Sequence, residues 1–436
     1  MTRPPLEGPI RIGLLGLGVV GGATASILVQ DAAELARRAG AELHLAKVAV
    51  RSPSKARSVD LPDDALTTDP WEVVKDPSIH LVIETIGGID PARDLVLEAL
   101  ASGKHVVTAN KELVAAHGRE LLRTAAANGA ELLFEASVGG GIPVVRPIKE
   151  SLAGDRLVRV MGIVNGTTNF ILTRMSEEGM SFADALAEAT ALGYAEADPT
   201  ADVEGYDAAS KLAILASLAF GARVRASDVQ RQGITGVTAD DVAAAHDLGY
   251  EVKLLAVAEI EDGQVAARVH PAMLPKTHPL ASVRDVFNAV FVEGEHVGEL
   301  MLLGRGAGGG PTASAVVGDV VELARSLAAG APAHTWTYFE NDARVRPPEE
   351  ASVRYYLVLS VLDQSGVLAS VAGVFAHHDV SIASVRQEGS GDEATLVLIT
   401  HTSTEGRHQA TFRDLAGLDA VKDVRSTIRV EGAYER

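Results

Sequence analysis

Between Gly193 and Lys211 the chain reads GYAEADPTADVEGYDAASK. Glu196, Asp198, Asp202, Glu204 and Asp207 precede a single ammonium, Lys211. Acids this dense suit solvent, a metal ion or a cationic ligand. The next residues, LAILASLAF, read as core. The acids therefore lead into a buried helix and are expected to line a cleft. Asp202 is a natural cap for a helix over 203–220. Asp207 and Lys211 then stand i and i+4 on one face. A surface ion pair would explain that spacing alone, at about 0.3–0.5 kcal/mol. Leu212, Leu215 and Leu218 mark the helix as a core element, which favours a working pair. A lysine at that position can bind a ligand or move a proton.

Such a pair needs a frame, and the N-terminal third supplies one. Pro9–Leu15 (PIRIGLL) reads as a short buried strand running into Gly16-Leu17-Gly18-Val19-Val20-Gly21, with a helical stretch to about Arg38. A G-x-G-x-x-G between strand and helix gives a tight turn, close approach of a pyrophosphate and tight helix–strand packing. The phosphates then meet the positive end of the helix. The second strand is expected at Leu43–Val50, followed by Arg51 and Ser52, with Lys55 and Arg57 close behind. An acid there would hold ribose hydroxyls. Cations suit a 2′-phosphate, so NADP(H) is expected over NAD(H), with NAD(H) remaining possible. Further strands at His80–Glu84, His105–Thr108 and Glu131–Phe134 alternate with helical stretches, the pattern of a parallel, doubly wound sheet. Their carboxyl ends carry Glu84–Gly88, Thr108–Lys111 and Glu135–Pro143, where such folds gather ligands.

Leu157–Val164 reads as a strand ending in Asn165-Gly166-Thr167-Thr168-Asn169. These small polar side chains suit a small polar ligand, or simply cap a helix beginning near Phe170.

Bulk composition narrows the function. The 436 residues are enough for two or three domains, and 47% hydrophobic with 22% charged residues is ordinary for a globular protein. The net charge of −19, with no basic run, argues against nucleic acid or an anionic membrane as partner. No apolar run reaches the roughly 18 residues of a membrane span. The N-terminus runs into the first strand without a signal-peptide pattern, and the cytoplasm is the expected location. With no cysteine, disulfides, thiolate metal sites and thiol nucleophiles are excluded.

The motifs GLGVVG, ETIGG, TANK, EASVGGGIP, NGTTNFI, LGYAEADP and D-x4-D-x3-K, in this order, resemble homoserine dehydrogenase. So do HPAMLP at 270–275 and GAGGGPTASAVVGD at 306–319, and the likeness covers essentially the whole chain. The resemblance implies NAD(P)-dependent interconversion of L-homoserine and L-aspartate 4-semialdehyde. It makes Lys211 the proton donor and acceptor and has Asp207 and Glu196 bind the substrate. Lys111 then contacts cofactor and substrate. Gly193 lies near the nicotinamide, and Thr85, Arg51, Leu17, Val19 and Val20 fall on the cofactor with Gly16, Gly18 and Gly21. Gly308 approaches the cofactor as the chain returns to the first domain. It further implies a sodium or potassium ion held by Glu135, Val138, Gly140 and Ile142, largely through backbone carbonyls. The chemistry agrees: hydride addition to an aldehyde develops an alkoxide, which needs a cation and a proton source nearby.

A linker is expected at 331–350 on composition, ending in Pro347-Pro348. Beyond it, strands at 354–361, 380–388, 394–401 and 424–431, with helices at 367–378 and 407–415, form a βαββαβ, ferredoxin-like unit. Asp363–Leu368 and VSIASVRQ resemble an ACT domain. Such domains pair and bind an amino acid near the turn containing Gly366, and the resemblance makes L-threonine the expected inhibitor; a dimerisation module without ligand is the alternative. The fold class is thus α/β: an N-terminal Rossmann doubly wound domain over 1–145 completed by 305–330, an α+β catalytic and dimerisation domain over 146–304, and an ACT domain over 351–436. A homodimer or homotetramer is expected.

Three rivals fit less well. Aspartate-semialdehyde dehydrogenase needs a cysteine nucleophile. A 2-hydroxy acid dehydrogenase needs a His–acid pair, whereas His270 and His278 read as structural histidines in proline-flanked loops with no obvious acid. A catalytically silent amino-acid sensor would not need Lys111, Asp207 and Lys211 intact.

Overall fold

The computed structural model describes residues 6, 8–53, 59–389 and 392–432. Lys55 and Arg57 lie outside them. Contacts divide the chain into two compact units. One holds Met1–Val160, Ser210–Asp228 and Phe287–Ala343; the other holds Met161–Ala209, Val229–Val286 and Arg344–Arg436.

The first unit is built on a six-stranded parallel sheet. Its order across the sheet is Leu66–Thr67, Leu43–Ala49, Ile10–Leu15, Leu81–Glu84, His105–Thr108, Leu132–Leu133. The strands read as continuous apolar runs because helices cover both faces; Ile10, Ile12, Leu14 and Leu15 are fully buried. The chain order reverses between Ile10–Leu15 and Leu81–Glu84, the position at which doubly wound sheets open a crevice. Helix Gly309–Ala329 returns from far along the chain and packs on helix Val19–Gln30. It adds Val316, Val320, Leu323 and Ala324 to the core of this sheet. The single helix expected up to Arg38 is instead two, Val19–Gln30 and Ala32–Ala39, separated at Asp31.

The segment expected as a linker is packed in its first half. Phe339 is buried edge-on to Phe134, and Arg119 donates to the Phe339 carbonyl at 2.7 Å and pairs with Asp342 at 2.9 Å. Trp336, Tyr338 and Phe339 are the reason: an aromatic cluster has surface to bury, which a count of Pro and polar residues overlooks.

The second unit contains helices Gly166–Glu178 and Phe182–Ala191 and a long antiparallel hairpin, Tyr250–Glu261 with Gln264–Pro275. Its C-terminal part has the expected βαββαβ order. Strands Tyr355–Leu362, Ile382–Glu388, Glu393–Thr400 and Val421–Val430 alternate with helices Val367–His377 and Glu405–Ala416. Across the sheet the order is Val421–Val430, Tyr355–Leu362, Glu393–Thr400, Ile382–Glu388. Leu357, Leu359, Val371, Phe375, Leu398 and Leu415 form its core. Among the described residues no helix is long and apolar enough to cross a membrane.

Candidate active site

The glycine turn has the geometry its motif requires. Gly16 sits at φ +94°, and a Cβ there would stand 3.0 Å from the Thr85 carbonyl oxygen. A Cβ on Gly21 would stand 2.2 Å from the Gly16 carbonyl oxygen and 2.7 Å from Thr85 Oγ1. Thr85 Oγ1 in turn donates to the carbonyls of Leu15 and Gly16, both at 3.1 Å. Thr85 thus clips the turn to the neighbouring strand, and Gly21 lets the helix press onto it. The helix begins at Val19 with no side-chain cap from Gly18, which leaves its first N–H groups for an anion.

Beside this turn lies a cavity of about 720 Å³. Gly16, Leu17, Gly18, Val19, Arg51 and Thr85 line it, together with the ends of the first two strands. Arg51 is the only charged side chain among its described lining residues. Val20 and Gly21 are not in the lining; Val20 packs on the core below. Gly308, at φ +114°, caps helix Gly309–Ala329, and the next residue, Gly309, abuts Val19.

The ends of the third and fourth long strands of this sheet are tied by one buried carboxylate. Glu84 accepts from the Ile86 and Gly87 N–H groups at 2.7 and 3.1 Å and from Thr108 Oγ1 at 2.5 Å. Asn110 caps helix Lys111–Ala127 through the Leu113 N–H, and its amide donates to the Gly88 carbonyl at 2.6 Å. Lys111 is the first residue of that helix and is half-buried. Burying Glu84 is stabilising only because its oxygens are so fully satisfied.

The Glu135 loop is held from within. Glu135 accepts from the N–H groups of Val144, Val145 and Arg146 at 2.6, 2.8 and 2.7 Å. Its carboxylate is therefore engaged, and its backbone carbonyl accepts from the Val138 N–H at 3.5 Å. Gly140, at φ +55°, has no room for a side chain: a Cβ would stand 2.4 Å from the Gly306 carbonyl oxygen. Among the described residues no cluster of three His, Cys, Asp or Glu could hold a metal. The monovalent ion expected at Glu135, Val138, Gly140 and Ile142 would call on main-chain oxygens rather than on such a cluster, and hard oxygens suit a hard monovalent ion. Asp319 accepts from the Glu135 N–H at 2.9 Å and pairs with Arg146 at 2.8 Å. Burial pushes its carboxyl up to about 7, opposed by that N–H and by Arg146. Lys149, whose ammonium burial pushes down, lies 3.8 Å from the Trp336 ring centre.

In the second unit, the acidic block is organised by Asn165. Its amide donates at once to Asp202 at 2.6 Å and to Asp207 at 2.9 Å, while its oxygen caps helix Gly166–Glu178 through the Thr168 N–H. The cap reading of Asn165 is therefore right, with the helix starting at Gly166 rather than near Phe170. Contrary to the expectation from sequence, Asp202 does not cap the lysine-bearing helix. It lies in a short helix, Thr200–Val203; Gly205, at φ +77°, then breaks the chain before helix Tyr206–Phe220 begins. Hydrogen bonds from the Thr200 hydroxyl, and then from the Thr200 N–H at 3.1 Å, hold the Asp198 carboxyl below its usual range, and Glu204 accepts from Thr235. Glu196 is exposed, Asp207 is buried, and Gly193 sits at φ +76° after helix Phe182–Ala191. Lys211 follows Asp207 by one helical turn in Tyr206–Phe220, and the unit division falls between Ala209 and Ser210.

Thr167 donates to the Tyr194 carbonyl at 2.8 Å, fixing the loop that carries Gly193. Asn169 donates to the Asp285 carbonyl at 2.9 Å and accepts from Lys253, whose ammonium burial pushes down to about 8. The histidine reading changes too. His270 lies inside strand Gln264–Pro275, not in a loop, and its Nε2 is 3.4 Å from Glu431, far beyond any local window.

Family models match along the chain. The homoserine dehydrogenase NAD-binding domain covers residues 16–135, the homoserine dehydrogenase domain 143–321, and an ACT domain 355–417. A homoserine dehydrogenase of Corynebacterium glutamicum is 48% identical over 435 residues, 98% of this chain and 97% of its own. The chain belongs to the homoserine dehydrogenase family. This is a family of NAD(P)-dependent oxidoreductases acting on a CH–OH group. A crystal structure of the homoserine dehydrogenase from Thiobacillus denitrificans superposes with a TM-score of 0.92 at 42% identity, covering 98% of this chain and 99% of that one. A hyperthermophilic archaeal homoserine dehydrogenase in complex with NADPH matches at 0.62 and 31% identity, covering 72% of this chain and 97% of its own.

Lys149, Asp319 and Lys253 were missed in the sequence reading, and Glu84 was read only as part of a polar turn. Glu84 and Asp319 are charged residues in apolar stretches, LVIE at 81–84 and VVGDVVEL at 316–323. That is a usable signal, since charges are buried only when they are paired or saturated with hydrogen bonds.

Proposed function

We propose that this member of the family interconverts L-homoserine and L-aspartate 4-semialdehyde, serving threonine, methionine and isoleucine biosynthesis in the cytoplasm. The full-length family match with Lys111, Asp207 and Lys211 intact carries this reading. NADP(H) is preferred over NAD(H). Arg51, alone in charge among the described residues lining the turn cavity, supports the preference. The bound nicotinamide supplies or accepts the hydride. Gly16–Gly21, Arg51 and Thr85 hold the cofactor, with Gly193 and Gly308 close to it. Glu196 and Asp207 hold the substrate ammonium. Lys111 steadies cofactor and substrate. Lys211 Nζ gives its proton to the substrate oxygen in reduction and takes the hydroxyl proton back in oxidation. Main-chain carbonyls of Glu135, Val138, Gly140 and Ile142 would hold sodium or potassium, whose charge stiffens the loop.

L-threonine is the proposed effector, acting through the ACT domain near Gly366, in a homodimer or homotetramer. The strand Ile382–Glu388 is an edge of its sheet and exposes Val385, which supports pairing with a second copy. Homoserine-dependent reduction of NADP⁺ tests the activity. A robust rate is expected, and no reduction with either nicotinamide cofactor would refute it. Threonine added to the same assay should lower the rate; an unchanged rate would remove the effector role.

A further inference from the structure

Strands Leu81–Glu84 and His105–Thr108 run parallel, with Glu84 opposite Thr108 at their carboxyl ends. Leu81, Val82 and Ile83 are fully buried, as a strand covered on both faces requires. Glu84 is buried as completely, yet it carries a carboxylate. A charge is kept in such a place only when donors saturate it. The identity of those donors therefore tells what the carboxylate holds.

They come from two segments. On one side are the Ile86 and Gly87 N–H groups, at 2.7 and 3.1 Å. They belong to the turn Thr85–Gly88, in which Gly87 and Gly88 are both left-handed, at φ +79° and +70°. Successive N–H groups in a turn of this kind form a concavity for an anion. Glu84 fills it from within the chain, so this turn is a wall and not a phosphate seat. Thr85 and Ile86 of the wall line the cavity beside the glycine turn. On the other side is Thr108 Oγ1, which donates to Glu84 at 2.5 Å. The same oxygen accepts from the Asn110 N–H at 3.0 Å, and Asn110 caps the helix that begins at Lys111. The Asn110 amide closes the ring by donating to the Gly88 carbonyl at 2.6 Å.

We propose that Glu84 is a positioning residue for the reaction: its one carboxylate sets both the cofactor wall at Thr85–Gly88 and the start of the helix that carries Lys111. The proposal rests on the cofactor and substrate role given above to Lys111. An amide in place of the carboxylate weakens both arms. Its single oxygen still accepts from Ile86 and Gly87, but as a neutral acceptor, which binds less strongly. Its NH2 then faces Thr108 Oγ1, and the Thr108 hydroxyl loses the acceptor that fixes it.

Kinetics of homoserine oxidation and NADPH fluorescence titration test this on four full-length proteins: the unsubstituted chain, Glu84→Gln, Lys111→Ala and the double variant, each checked for fold by circular dichroism. Glu84→Gln should lower kcat about tenfold or more and weaken NADPH about three- to tenfold. In the Lys111→Ala background the same substitution should lower kcat by no more than about twofold further, because its route to the reaction is gone, while its effect on NADPH persists. A carboxylate with a purely structural role would instead lower the melting temperature and leave kcat and NADPH affinity of the folded protein unchanged. That result, or an undiminished loss of kcat in the Lys111→Ala background, overturns the proposal. Should Glu84→Gln not fold, Thr108→Val cuts the helix arm alone: kcat should fall with NADPH affinity kept within about twofold, and an unchanged kcat is again fatal. Full turnover in Lys111→Ala by itself is a separate failure, since it removes Lys111 from the proposed function and this proposal with it.

Discussion

The glycine turn and the acidic block are built on opposite principles. In the turn, function depends on side chains being absent: a methyl on Gly21 would stand 2.2 Å from a backbone oxygen. In the block, under the substrate role proposed for it, function depends on side chains being held, and one amide, Asn165, holds two carboxylates at 2.6 and 2.9 Å. A backbone site is intolerant of added atoms and indifferent to most distant changes. A side-chain site tolerates additions but fails when a supporting partner is removed. The turn should therefore respond to substitution in cofactor affinity, and the block in substrate affinity.

The largest effect expected of this contrast is from Gly21→Ala. The methyl meets the Gly16 carbonyl, which cannot give way without moving the turn. A cost of about 1–3 kcal/mol is expected, read as NADPH affinity weakened by up to about a hundredfold in fluorescence titration. An unchanged affinity would show that the turn yields, and would break the contrast. Asn165→Ala should come next. It removes a helix cap worth about 1 kcal/mol and takes one donor from a buried carboxylate. The KM for homoserine should rise about tenfold with the KM for NADP⁺ unchanged; a rise in both would mean the two sites are not separable. The smallest effect is from Arg51→Ala. It should weaken NADPH about three- to tenfold and leave NADH alone, as befits an exposed charge on a phosphate. Equal weakening of both would assign Arg51 to the shared part of the cofactor.

The same contrast explains what could be read from sequence. Gly16, Gly18 and Gly21 announce themselves because only glycine fits such a turn, and the apolar runs around them mark the strands of a parallel sheet. The strands of the C-terminal βαββαβ unit were legible for the same reason of local periodicity. Asp202 was misplaced as a cap because Gly205 breaks the chain between it and the helix. His270 lies in a strand through the local hairpin, opposite Leu255, but its place beside Glu431 depends on a ladder between residues more than a hundred positions apart. Segment 331–350 read as a linker on its prolines, yet Phe339 is buried. Side-chain partnerships made across the fold leave no periodic trace, and the buried charges Glu84, Asp319 and Lys253 are their residue.

The proposed division between a cofactor turn and a proton-handling lysine is tested most directly on Lys211→Ala, with turnover and NADPH affinity measured on the same preparation. Homoserine oxidation should fall by about 10²–10⁴-fold, while the NADPH dissociation constant stays within about twofold of the unsubstituted chain. Near-normal turnover, or a loss of NADPH affinity as large as the loss of turnover, would contradict it.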